Sequence, residues 1–197
     1  GGIMGRMTDR NAIQFRQLNE SKGPAVRSSR AQCDKNRYAS GMQEFLGTLP
    51  GLAILEDEVT RISLEGTQIC GVELASGERL TSQCVIVTSG TFLKSVMHYG
   101  PEQVKGGRQG DRSAEGLSDA LRDLGFRLRR LKTGTPPRLH KDSIDWTKTE
   151  PQPGDAIPKP FSFYERSDPF PFLPQIHCFI TYTNTQTHEI IYENILS

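Results

Sequence analysis

Between residues 52 and 90 the chain is a succession of short β-type runs separated by turns, and this pattern most narrows its fold. "LAILED", "EVTRISLE" and "TQICGVELASGERLT" follow one another, the last bent at Ser76-Gly77 as a hairpin. Strand-favouring residues alternate in them, and turn residues lie between. Then comes "CVIVTSG", apolar until its small-residue end. A continuous apolar run of this kind predicts a strand buried on both faces of a parallel sheet. The order is therefore a meander followed by a buried strand.

Helices flank this block. "SSRAQCDKNRYASGMQEFLGTL" places Tyr38, Met42, Phe45, Leu46 and Leu49 at helical spacing, with Ser28 or Ser29 as N-cap and Gly47 and Pro50 as the stop. "SAEGLSDALRDLGF" puts Leu117, Ala120, Leu121 and Leu124 on one face, capped by Asp111 or Ser113. Arg127 and Arg129 alternate with Leu128, which predicts a strand with an exposed basic face. Beyond Arg138 prolines crowd in and the helical period disappears, so loops with short strands are predicted up to Pro174. "IHCFITYTN" reads as a strand, and a helix begins near Asn184, with His188 in its first turn. The predicted division is residues 1–138 as one domain and 139–197 as a mixed α+β inserted region.

Helix, meander and returning strand make an α/β order, that of part of a two-dinucleotide, glutathione-reductase-like FAD-binding domain. The turn after the returning strand holds Thr88, Ser89, Gly90 and Thr91. Small residues there let a ligand approach the backbone at the carboxyl end of a parallel strand, where such sheets bind cofactors. "GGRQGDRS" is glycine-rich and precedes a helix, an arrangement able to face an anion.

The formal net charge is +1, so there is no global pull toward nucleic acid or membrane and any basic site must be local. Two local concentrations exist. "NESKGPAVRSSRAQ" carries Lys22, Arg27 and Arg30 around Gly23-Pro24, and "LRRLKTGTPPRLH" sets Lys132 and Arg138 on either side of a turn with two prolines. In both, the ordinary alternative is a solvated surface. No apolar run approaches the ~20 residues of a membrane helix. Cys33, Cys70, Cys84 and Cys178 form no C-x-x-C pair, so neither a metal site nor a disulfide framework is predicted. The chain opens "GGIMGRMTD" without an initiator Met and ends "ENILS" within an amphipathic pattern, which reads as a segment of a longer protein.

Taken together, "FRQLNESKGPAVRSSRAQCDKNRY", "VIVTSGTFL", "GGRQGDRSAEGLSDALRDLGF", "RLKTGTPPRL" and "CFITYTNTQTHEIIYENI" resemble the GidA/MnmG family over nearly the whole chain. The resemblance implies a cytoplasmic (mitochondrial if eukaryotic), homodimeric flavoprotein. With the GTPase MnmE, it adds an aminomethyl-type group to carbon 5 of the tRNA wobble uridine, using FAD, NADH and methylene-tetrahydrofolate. It further implies that Val59 lies where backbone groups hold the FAD adenine, and that Thr88 to Thr91 lie near the cofactor. A flavin-contacting serine of the family aligns with Ala114, beside Ser113, a departure from the family pattern. Lys22, Arg27, Lys132 and Arg138 become active-site lining. The family's GxGxxG turn and essential cysteines are expected outside residues 1–197, so the isolated segment is expected to be inactive. Two alternatives remain at this stage, a folate- and FAD-dependent tRNA uridine methyltransferase and a non-catalytic tRNA-binding or dimerisation module.

Overall fold

A computed structural model describes residues 2–134, 138–163 and 169–195. In chain order its elements are α1 (Ile3–Asn11), β1 (Ala12–Leu18), two single 3₁₀ turns (Glu20–Lys22 and Pro24–Val26), β2 (Ser28–Cys33) and α2 (Lys35–Gly47). There follow β3 (Val59–Glu65), β4 (Gln68–Leu74), β5 (Arg79–Thr81), β6 (Val96–Tyr99), β7 (Glu102–Lys105) and α3 (Gly116–Asp123). After two more 3₁₀ turns come β8 (Glu150–Gln152), β9 (Cys178–Ile180) and α4 (Thr185–Glu193). Packing divides the chain into two compact units, residues 2–54 with 139–195, and residues 55–138. The change of composition at 138/139 coincides with a unit boundary, but the first 54 residues pack with the last segment rather than with the meander.

In the first unit β1 and β2 form an antiparallel ribbon with Phe15 opposite Ala31 and Arg16 opposite Arg30. Met7, Ala12 and Phe15 are buried, and the Phe15 ring meets Phe161 and Phe170 at centroid distances of 6.3 and 5.0 Å. Distant segments are tied to β1 by hydrogen bonds. Asp155 N donates to Phe15 O (2.8 Å) and Ile176 N to Ile13 O (2.7 Å). The buried Gln14 amide donates to the carbonyls of Gln152 and Ile176, each at 3.1 Å. Gly154 is required where this wrapping is closest, since a Cβ there would sit 2.6 Å from Phe15 O. The buried Asp9 carboxylate accepts from the amides of Phe161 (2.7 Å) and Ser162 (2.9 Å), so its desolvation is offset by two charge-assisted bonds.

The predicted helix start at Ser28 or Ser29 is corrected. Residues 28–33 pair with β1, and α2 begins after Asp34, whose carboxylate accepts from Asn36 N and Arg37 N at 3.0 Å. A carboxylate at the N-cap satisfies orphan amides and meets the positive end of the helix, so the helix starts there. α4 starts as expected, with Asn184 accepting from Thr187 N at 2.9 Å. His188 shares a 2.8 Å contact with Thr183 Oγ1.

The second unit is the expected meander, in order β3-β4-β5, all antiparallel. Leu117 and Ala120 of α3 are buried, as is Ile62 of β3, against which α3 packs. At Gly71 (φ 155°) a Cβ would overlap the Leu80 carbonyl, so β5 approaches β4 only because this position is glycine. A hairpin of β6 and β7, unassigned from the sequence, follows.

Several predicted strands are absent. Residues 52–57 form none, and Ile54 is 63% exposed. Among the described residues the "CVIVTSG" run pairs with no strand, and Ile86 is 86% exposed. A parallel strand is held by its neighbours, and among the described residues no strand lies beside it. Residues 127–131 are likewise not a strand, and all are exposed.

Candidate functional site

In the second unit the turn after residue 87 is built against the glycine-rich segment. Gly90 adopts φ 59° and Phe92 N donates to Ser89 O at 3.3 Å, closing the turn. Ala114 N donates to Phe92 O (2.8 Å), Lys94 N to Ala114 O (2.9 Å), and Gly106 N to Ser95 O (3.0 Å). The Ser113 hydroxyl accepts from Ser95 N at 2.8 Å and donates to Phe92 O at 3.3 Å. It therefore joins the two segments and does not cap α3, whose N-cap Glu115 makes no side-chain capping bond. Asp111, the other predicted cap, pairs instead with Arg108 at 2.5 Å.

The turn presents its own backbone. Among the described residues, the amides of Thr88, Ser89, Gly90 and Thr91 donate to no protein acceptor, and all but Ser89 are exposed. Thr91 Oγ1 reaches Gly107 O at 3.4 Å. Glycine is needed at both positions of the pair, because a Cβ on Gly107 would strike the Phe92 ring and one on Gly106 would lie 2.7 Å from Asp111 O. Val59 begins β3 close by. Its neighbour Glu58 accepts from Glu115 N at 3.2 Å, and Gly116 lies against Thr60. Val59, Thr91, Ser113 and Ala114 are thus parts of one locality. Lys132 and Arg138 are exposed, without an ion pair among the described residues; Thr135, Pro136 and Pro137 lie outside the described residues.

Sequence reasoning missed Lys94. It occupies a left-handed conformation (φ 40°), unusual for a residue with a Cβ, and its ammonium lies 2.7 Å from both Asp119 oxygens. The Lys94 hydrogen bond, aided by Arg122, holds the Asp119 carboxyl below the usual carboxylate range. Arg130 Nη1 donates to Lys94 O at 3.0 Å.

The first unit holds the other basic cluster. Asn19, at φ 55°, opens the loop between β1 and β2. Lys22 N donates to Asn19 O (3.0 Å), Asn19 Nδ2 to Val26 O (3.2 Å), and Arg27 Nε to Glu20 O (3.1 Å). These bonds fix the loop while leaving Lys22 and Arg27 exposed. Beside it lies a cleft of about 270 Å³ lined by Arg16, Arg30, Lys159, Asp155, Phe161 and neighbours. Arg16 Nη1 donates to Pro153 O at 2.7 Å, and Arg30 Nη2 to Gln14 Oε1 at 3.2 Å. Arg16 and Lys159 were not singled out from the sequence. The available signal was the spacing of Arg16 and Arg30 across a ribbon, legible only once residues 28–33 are read as a strand.

Burial pushes the Cys33 thiol up, and the Cys178 sulfur sits between the Gln14 and Gln32 side-chain amides at 3.2 and 3.1 Å.

The family model described as Glucose inhibited division protein A matches residues 1–197. A tRNA uridine 5-carboxymethylaminomethyl modification enzyme MnmG of Myxococcus xanthus is 45% identical over 200 residues, covering 99% of this chain and 32% of that protein. Its namesake from Bdellovibrio bacteriovorus is 49% identical over 195 residues, covering 99% and 30%. The structure of Aquifex aeolicus GidA in its form I crystal superposes with a TM-score of 0.88 at 43% identity, over 99% of this chain and 33% of that one. The chain spans about a third of the length of the relatives it matches.

Proposed function

The chain belongs to the glucose inhibited division protein A family, and from that membership we propose that it forms part of an enzyme modifying carbon 5 of the tRNA wobble uridine. The observation that carries the proposal is the family match over all 197 residues, joined by relatives of 45% and 49% identity named as tRNA uridine 5-carboxymethylaminomethyl modification enzymes.

FAD is the proposed cofactor, and the turn at residues 88–91 fits such a group. Its four amides, which donate to no protein acceptor among the described residues, can donate to carbonyl or phosphate oxygens. In this reading the Thr88 to Thr91 backbone binds the cofactor and the Val59 backbone lies near its adenine. Ser113 and Ala114 position the turn through their bonds to Phe92 and Ser95. Bound there, FAD supplies redox chemistry between NADH and the methylene unit of methylene-tetrahydrofolate. Lys132 and Arg138 hold anionic groups of cofactor or RNA, and Lys22 and Arg27 meet phosphate or uracil carbonyls. The whole protein is proposed to act as a cytoplasmic (mitochondrial if eukaryotic) homodimer with tRNA and the GTPase MnmE; the 197-residue chain by itself is proposed to be inactive.

The test uses the full-length protein and nucleoside mass spectrometry of tRNA. Wild-type protein is expected to produce modified wobble uridine. Lys132→Ala or Arg138→Ala should remove about 1.5–3 kcal/mol of charge-assisted binding. Arg129→Ala should cost ~0–1 kcal/mol, as for a solvated charge. Equal losses in all three at matched thermal stability would remove the special role of Lys132 and Arg138. An inactive, well-folded wild type with all partners present would remove the function.

A further inference from the structure

We propose that the cleft beside the β1–β2 ribbon is a phosphate site, holding one phosphate ester of a nucleotide on Arg16, Arg30 and Lys159. Arg16 and Arg30 are direct cross-strand partners, an arrangement of like charges that costs stability. Among the described residues neither they nor Lys159 is in an ion pair. Arg30 Nε is buried and meets no acceptor in the protein, a disfavoured state.

The cleft also contains carboxylates, and their placement leaves room for an anion. Both oxygens of Asp155 already accept from Gln17 N, at 2.9 and 3.1 Å, and Glu20 is exposed. Guanidinium forks match the geometry of phosphate oxygens, and a flexible ammonium adds a third positive charge. The same cleft is lined by Ile157, 86% exposed, and Phe161, 39% exposed. An apolar wall next to a cation cluster suits a phosphate that carries a flat base, in preference to a bare ion.

The inference stands apart from the uridine reading, because it concerns binding by the chain's own cations and needs no turnover. The probes are uridine monophosphate, inorganic phosphate and hexauridylate, titrated onto the 197-residue chain by calorimetry at low salt. Uridine monophosphate should bind more tightly than inorganic phosphate, and Ile157→Ser should narrow that gap. Arg30→Gln and Lys159→Ala should each weaken binding roughly tenfold or more. Lys148→Ala, whose partner is Asp145, should leave it unchanged. The ligand-free melting temperature of Arg30→Gln should equal or exceed that of wild type, since a like-charge contact and an unsatisfied donor are relieved together. If that variant unfolds, the exposed Lys159 carries the same test. Hexauridylate binding more tightly, with the same loss in Arg30→Gln, supports the site and identifies its source as an RNA strand. Equal or weaker hexauridylate binding supports it with a free nucleotide as source. No binding by any probe, or binding indifferent to Arg30 and Lys159, overturns it.

Discussion

The β1–β2 ribbon and the β3–β5 meander are both small antiparallel sheets, yet they arrange charge in opposite ways. In the meander Glu73 stands between Arg61 and Arg79 on the neighbouring strands, at 3.9 and 2.9 Å. In the same unit, Asp119 of α3 takes both Lys94 and Arg122. In the ribbon Arg16 faces Arg30, and their hydrogen bonds go to a carbonyl and an amide oxygen. The meander neutralises its cations internally, so they contribute modestly to its own fold. Among the described residues the cations of the ribbon have no ion-pair partner, and its stability comes from Phe15, Gln14 and the bonds that Gln152, Asp155 and Ile176 make to β1. A sheet that tolerates a like-charge pair over a cleft is arranged for a ligand, whereas one that interleaves its charges is arranged for itself.

That contrast can be broken by exchanging the patterns. Arg30→Glu would give the ribbon a meander-like pair, and the largest effect should be on ligand. Uridine monophosphate binding should fall beyond calorimetric detection, because a charge-assisted donor is replaced by a repelling carboxylate. Retained affinity would mean the cleft is not where the anion sits. The reverse exchange, Glu73→Lys, would place three cations side by side in the meander. Two favourable cross-strand pairs would become two repulsions, a loss of about 1–2 kcal/mol, and thermal denaturation should show a melting point lower by about 2–8 °C. The ligand-free stability of Arg30→Glu should change least and in the other direction, gaining roughly 0.2–1 kcal/mol in denaturant titration.

A smaller effect follows from pH. The Lys94 hydrogen bond depresses Asp119, so the carboxylate stabilises the folded state above its ordinary value near 3.8. That contribution is lost as pH falls through the depressed value. Acid titration of the melting temperature should therefore drop less steeply in Lys94→Met, which has less of this stability to lose. Identical acid limbs would show the pair to be inert.

Much of the second unit was legible in the sequence because its signals are local. Alternation and the Ser76-Gly77 turn specify β4 and β5 within a few residues. The run at 84–88 was misread for the opposite reason. A strand buried on both faces is specified by what flanks it, and nothing among the described residues does. Residues 28–33 carry two serines before a run of helix formers, which suggested a cap. The pairing with β1 and the stronger acceptor at Asp34 decided otherwise. Ser113 and the glycines at 106 and 107 were legible as a special place but not in their roles. The need for glycine at 107 comes from the Phe92 ring, a contact that the local sequence does not reveal. The turn at 88–91 was visible as a turn because a small-residue turn needs no partner to be recognised, and among the described residues its amides donate to no protein acceptor.

Hydrogen exchange followed by mass spectrometry, with and without saturating uridine monophosphate at low salt, tests the contrast between the two sheets most directly. Peptides covering residues 14–18, 28–33 and 153–161 are expected to gain protection, while those covering 59–81 exchange at an unchanged rate. Protection confined to the meander, or uniform across both sheets, would contradict the division of charge into a ligand-holding ribbon and a self-contained meander.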